Sequence, residues 1–260
     1  LRDSLLPVGG IDVVYISACL MGTVETAYQL RDIADFYVSS EQVSWLPVAP
    51  LYLSGYQGQV SGETVTVPAL DQETTPRQLA VAMARTYYLY FGRGLSGHER
   101  PGTISVAQLS RLPAVANSAS HLAALLEERM SQIHPIISGI KSDVQHFDSD
   151  GNNEIDSQED EIVDLAHFAE LVNLRCDDAE VQSAAQELRS SIDDYVIGGD
   201  EYQLGWSGSF TKTRFLIERA YHWEHRNSHG VSVFFPEYSR SFYGGEWLDF
   251  AAGTHWNTTP

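Results

Sequence analysis

With 260 residues and 43% hydrophobic content, the chain can bury one sizeable core. A formal net charge of -19 argues against a nucleic-acid partner, because binding a phosphate backbone takes clustered Lys and Arg. No apolar run approaches the roughly 20 residues of a bilayer-spanning helix, so no membrane span is expected.

Leu1, Leu5 and Leu6 recur at helical spacing, as if the text opened partway through an amphipathic helix after something upstream had been removed. Ile11 to Ala18 reads IDVVYISA, a β-branched and aromatic run suited to a buried central strand. Met21, Val24, Ala27, Tyr28, Leu30, Ile33 and Ala34 then form one apolar helical face, and Phe36 to Ser39 a second strand. The order strand, helix, strand is that of a parallel crossover. Ser54 to Val67 is Gly-rich and alternating, an irregular loop or hairpin. Thr75-Pro76 opens a helix through about Tyr90, and Thr103 to Leu109 predicts a strand with polar alternation. Helices are predicted over about 113–145, 159–174 and 178–194. Strands follow at Tyr195 to Ile197, Ala220 to His225 and Gly230 to Pro236. These elements predict one α/β domain, with residues 1–112 carrying its first strands, 113–194 a helical insertion and 195–260 the strands that complete it.

Two cysteines give neither a disulfide framework nor a four-ligand zinc pattern. Cys176 follows a helical stretch and reads as a small core or surface residue. Cys19 stands at the carboxyl end of the first strand with a helix expected one residue later. There the positive end of a helix favours thiolate, and unpaired N–H groups can face an oxyanion. Such a placement alone is weak evidence of catalysis.

The text around Cys19 adds to it. Ser17-Ala18-Cys19-Leu20-Met21-Gly22, followed by Glu25, Ala27, Tyr28, Leu30-Arg31-Asp32, Ala34-Asp35 and Ser39-Ser40-Glu41, resembles the nucleophile segment of the clostripain family of cysteine peptidases. Gly230-Val231-Ser232-Val233-Phe234-Phe235-Pro236 is similar to that family's GlSIYFP strand, with Tyr243, Trp247, Phe250 and Trp256 beyond it; the match is weakest over Pro47 to Asp71. The resemblance implies a caspase-like α/β sheet, mostly parallel and flanked by helices. It also implies that Cys19 is the nucleophile and that the partner histidine lies upstream, followed by a glycine that helps form the oxyanion hole.

No histidine precedes Cys19; all nine lie between His98 and His255. The histidine is therefore expected on an N-terminal light-chain portion of the same precursor, held after processing, and these 260 residues alone are expected to have little activity. The alternative is an inactive relative, a calcium-dependent binding or structural protein on the same fold. Family members that cut after basic residues carry an acidic residue two before the nucleophile, where this chain has Ser17. Glu41 is the one carboxylate nearby, read as a solvent-facing or helix-capping charge at least as readily as a pocket residue. A P1 Arg would go uncompensated there. A polar or apolar P1, shaped by Ser17, Ser39, Ser40 and Trp45, is expected.

Asp148 to Glu159 aligns with the EF-hand loop. Asp148, Asp150, Asn152, Asp156 and Glu159 fall at positions 1, 3, 5, 9 and 12, the Glu154 carbonyl at position 7, and apolar helical runs are expected on both sides. Asn153 stands where the loop has Gly, and Asn is the next residue most tolerant of the left-handed conformation. Ca2+ is the cofactor expected. His222, Glu224, His225 and His229 make a weaker metal candidate, because strand geometry points His222 and His225 to opposite faces. Asn257-Thr258-Thr259 is a sequon only in a eukaryotic secretory setting. A secreted or periplasmic location follows from the resemblance and the acidity.

Overall fold

The structure is a computed structural model that describes residues 2–45, 56–60, 63–67, 71, 73–92, 102–197, 213–215 and 227–235. After a short helix α1 (Arg2–Leu5), β1 (Ile11–Tyr15) and β2 (Ala34–Ser39) flank α2 (Val24–Leu30). β1 and β2 pair in parallel from Ile11↔Ala34 to Tyr15↔Val38, the expected crossover. α2 starts three residues later than its apolar stripe begins, because Thr23 caps it, accepting from Thr26 N–H. Val24, Ala27 and Leu30 then fall on one buried face.

β3 (Tyr56–Val60) and β4 (Glu63–Val67) form an antiparallel hairpin, and α3 (Pro76–Tyr87) opens on a capping box of Thr75 and Gln78. One π-helical turn, Tyr88–Gly92, extends it. β5 (Gly102–Gln108) pairs antiparallel with β2, and β8 (Thr213–Phe215) antiparallel with β5, giving the order β1-β2-β5-β8. Among the described strands this sheet is mixed, not mostly parallel. The connection from β2 to β5 holds a hairpin as well as a helix, so no single-helix crossover imposes parallel entry.

Alternation along the strands divides the core. Tyr37 and Ala107 face one cluster, Val38, Ile104 and Val106 the other. α3 covers the second with Ala80, Val81, Ala84 and Tyr87. The first is covered by α2 together with α4 (Leu112–Glu128), α5 (Met130–Asp143), α6 (Leu165–Arg175) and α7 (Ala179–Tyr195). The helical segment thus shares one core with the sheet. Thr103 and Ser105 are the expected polar alternation of β5, but both are buried. They can be so because Ser105 Oγ donates to Gly230 O at 2.7 Å and Thr103 Oγ1 accepts from the Glu41 and Gln42 N–H groups.

Two expected helices are interrupted. The 113–145 run breaks at Arg129 between α4 and α5. The predicted helix over 159–174 is instead β7 (Ile162–Asp164) followed by α6, capped by Asp164. β-Branched Ile162 and Val163 find strand partners on both sides, β6 (His146–Phe147) and β9 (Ser232–Phe234), and this pairing overrides helical periodicity. Cys176, just past α6, is buried in the core. Val196 makes a bridge to Ala107, all that the expected 195–197 strand forms among the described residues. The stretch from Ala220 to His225, Pro236, and the aromatics and sequon beyond it lie outside the described residues.

Candidate active site

Cys19 lies in the turn between β1 and α2, exposed, with Leu20 after it in the left-handed region at φ 60°. The helix does not begin one residue later: α2 starts at Val24, so its N-terminus is not the group that meets the sulfur. The backbone of Ser44 takes that place. Its N–H donates to Cys19 Sγ at 3.4 Å and its carbonyl oxygen lies 3.9 Å from Sγ. An N–H aimed at sulfur is a hydrogen-bond donor to charge there, the part a helix terminus would otherwise play. Among the described residues these Ser44 atoms are the hydrogen-bond partners of the sulfur, and no imidazole is beside it.

The turn is fixed by the chain that follows β2. Leu20 N–H donates to Gln42 O at 3.2 Å and Gly22 N–H to Ser40 O at 2.7 Å. A Cβ on Gly22 would lie 2.8 Å from Glu41 N and 2.9 Å from the Ser40 carbonyl, closer than real Cβ atoms come, so only glycine lets the two backbones meet. Tyr37, from β2, donates its hydroxyl to Met21 O at 2.6 Å. Tyr87, from α3, accepts from Trp45 N–H at 2.9 Å; burial pushes its hydroxyl far above its ordinary value. Neither tyrosine is visible as a site residue in the text, because each acts from another element. Their aromatic core positions are the only signal.

The four residues expected to bind substrate divide. Ser17 and Trp45 are half-buried beside the turn, and the Ser17 Oγ is buried without a hydrogen-bond partner. Ser39 and Ser40 are buried. The Ser40 hydroxyl donates to Gln42 O at 2.9 Å and lies 3.1 Å from Thr103 Oγ1, so it shapes the loop from within and is not offered to a substrate. Glu41 is no solvent-facing charge: it is 1% exposed and turned inward to Ser228 and Gly230.

The acidic loop joins β6 to β7, so the flanking elements are strands and not the two helices of an EF-hand. Local geometry is nonetheless a tight turn that gathers carboxylates. Asp148, buried, accepts from Gly151 N–H at 2.8 Å and Asn153 N–H at 3.0 Å, and Asn153 takes the left-handed φ of 70°. Asp148, Asp150 and Asp160 each bring one carboxylate oxygen within 4.8 Å of the others. Asp160, one residue past the expected Glu159, is the third member of this group. Glu159 stays outside that trio, accepting from Asn152 Nδ2 at 3.3 Å. Asn152 and Glu154 are exposed, and Asp156 accepts from Gln158 N–H at 2.6 Å. Of the weaker histidine cluster, His222 and His225 lie outside the described residues, and His229 is buried against Asp164.

A family model described as the clostripain family matches residues 1–244. The chain belongs to the clostripain family. A comparison with curated proteins gives no match. Among solved structures, a B. fragilis cysteine protease is 20% identical with a TM-score of 0.57, over 98% of this chain and 93% of that one. A secreted C11 cysteine protease from Bacteroides thetaiotaomicron, solved with an irreversible peptide inhibitor, is 19% identical with a TM-score of 0.57. That match covers 96% of this chain and 61% of that one. An inactive zymogen C11 protease from Parabacteroides distasonis is 14% identical with a TM-score of 0.55, over 100% of this chain and 61% of that one. The chain thus spans nearly the whole of one neighbour and about three fifths of two. At these identities the structural likenesses show the fold, which is α/β and consistent with the caspase-like fold expected for the family. Among the described residues, no helix is long and apolar enough to cross a membrane.

Proposed function

We propose that the chain is the nucleophile-bearing part of a cysteine endopeptidase in which Cys19 attacks the scissile carbonyl. The observation that carries this is an exposed Sγ, held at the end of β1 by the Ser44 N–H, in a chain of the clostripain family. The thiol proton passes to a histidine, the sulfur bonds to the carbonyl carbon, and the C–N bond breaks as that proton reaches the leaving amine. Water then hydrolyses the thioester, releasing the acid and the thiol. The family pattern assigns the histidine to an N-terminal light-chain portion of the same precursor. Without it the isolated chain has little activity.

Ser17 and Trp45 shape a P1 pocket that does not select Arg. Ser17 is uncharged, and Glu41 points away from the turn, into the protein, so neither compensates a guanidinium. Asp148, Asp150 and Asp160 hold Ca2+. Two of these carboxylates are buried side by side, and a hard cation with oxygen ligands relieves their mutual repulsion. Secretion or a periplasmic location accords with the secreted neighbour and the acidic composition.

Active-site labelling of the full-length product tests the nucleophile. A peptide-based thiol-reactive inhibitor should modify Cys19, Cys19→Ala should abolish turnover, and a fluorogenic panel should favour polar or apolar P1. Turnover retained by Cys19→Ala refutes the assignment, and a strong preference for Arg or Lys refutes the pocket. An inactive calcium-dependent binding protein, the alternative, would not label selectively at Cys19.

A further inference from the structure

Behind the nucleophile turn lies a carboxyl that the reaction does not touch. The Oε2 of buried Glu41 accepts from Ser228 Oγ and, at 2.9 Å, from Gly230 N–H; its Oε1 is buried with no donor. Asp164, wholly buried, faces it. The Asp164 oxygens are taken by His167 N–H at 2.6 Å, by His229 N–H and by His229 Nδ1 at 3.0 Å. Two carboxyls in contact in a dry site do not both ionise. Two backbone N–H groups and the His229 ring meet the Asp164 oxygens and no donor meets Glu41 Oε1, so of the two carboxyls Glu41 is the one less able to carry a charge. Burial first, and the Asp164 charge second, push the Glu41 carboxyl well above the usual carboxylate range.

The backbone around Glu41 is what holds Cys19. Its N–H donates to Thr103 Oγ1 at 3.0 Å, while the carbonyls on either side, Ser40 and Gln42, accept from Gly22 and Leu20. Two residues further on, Ser44 reaches the sulfur. We propose that Glu41 is a positioning residue for Cys19: its carboxyl ties the 40–45 loop, and through it the nucleophile turn, to Ser228, Gly230 and Asp164. This deepens the peptidase reading and depends on it only where turnover is measured.

The groups facing Glu41 are Asp164 from β7, Ser228, His229 and Gly230 from the segment before β9, and Thr103 from β5. Beyond Asp164, His229 Nε2 lies 3.5 Å from Glu170 Oε1, which Arg189 Nε holds at 2.6 Å. Among the described residues no cation touches Glu41 itself, so its ionisation sets a second negative charge against Asp164 and loosens the tie.

The test is the pH dependence of Cys19 alkylation by iodoacetamide in the full-length product, with the adduct located by mass spectrometry, for wild type, Glu41→Gln and Glu41→Ala. Glutamine copies the neutral acid: its oxygen accepts from Ser228 and Gly230 and its amide donates to Asp164. Glu41→Gln should therefore keep the wild-type profile near neutral pH. Glu41→Ala should move it toward higher pH as the Ser44 donor drifts from the sulfur, and should lower kcat about tenfold with KM within about twofold. An unchanged profile in folded Glu41→Ala overturns the proposal, as does a Glu41→Gln variant as impaired as Glu41→Ala. If Glu41→Ala does not fold, Ser228→Ala removes one donor with the carboxyl in place; it should show the same shift at smaller amplitude, and no shift overturns the proposal. Alkylation is a property of the thiol alone, so absent turnover with the expected alkylation pattern would sink the peptidase reading and leave this one standing.

Discussion

Replacing Glu25 by Gln should remove a large part of the pH dependence of stability. Glu25 sits in the first turn of α2, 5% exposed, with Oε1 accepting from Phe234 N–H at 3.0 Å and Oε2 buried without a partner. Desolvation raises its carboxyl from 4.5 to about 8, with the bonds from Phe234, its own backbone and Thr23 opposing. In the unfolded chain the group is ionised above its ordinary value, whereas the folded chain keeps the proton up to about pH 8. Its contribution is therefore fully present below the ordinary value and is lost as pH rises through the folded one. The slope is about 1.4 kcal/mol per pH unit, and the whole window amounts to about 5 kcal/mol as a ceiling, since water penetration softens burial. Gln keeps the bond to Phe234 and cannot ionise. Urea unfolding at a series of pH values should find the two proteins within about 1 kcal/mol in mild acid and the variant several kcal/mol more stable in mild alkali. Subtracting one curve from the other removes the other titrating groups, Glu41 among them. Parallel curves across the window would refute the reasoning, and a wild type that gains on the variant with rising pH would reverse it.

Two further outcomes follow from the site. Gly22→Ala drives a Cβ into the Glu41 and Ser40 backbone, so it should cost about 2 kcal/mol or more and slow labelling of Cys19, read by urea unfolding and alkylation rate. Wild-type stability with unchanged labelling would show that the two backbones separate freely. Calorimetric titration with Ca2+ should show Asp160→Asn weakening binding about tenfold or more and Glu159→Gln changing it less than about threefold. The reverse ranking would restore the twelve-residue EF-hand assignment.

Much of the fold follows from local text. The β-branched run at Ile11, the three-residue spacing of Val24, Ala27 and Leu30, and the Thr75-Pro76 cap act between near neighbours. Strand, helix and start signal therefore stand in the expected order, with β1 ending at Tyr15 and α2 beginning three residues into its apolar stripe. The words around Cys19 likewise pointed to the family to which the chain belongs. What local text cannot carry is burial that depends on a distant partner. Ile162 and Val163 sit in a helical pattern until β6 and β9 pair with them. Glu41 reads as a surface charge until Ser228 and Gly230, far along the chain, supply donors and Asp164 a neighbour. Asp160 passes for the residue after a loop until the fold turns it beside Asp148 and Asp150. The sequence by itself determined the family and, within it, the cysteine proposed as nucleophile. The tertiary structure alone decided which groups surround it, because a buried carboxyl and a backbone N–H on sulfur are both set by contacts that no periodicity encodes.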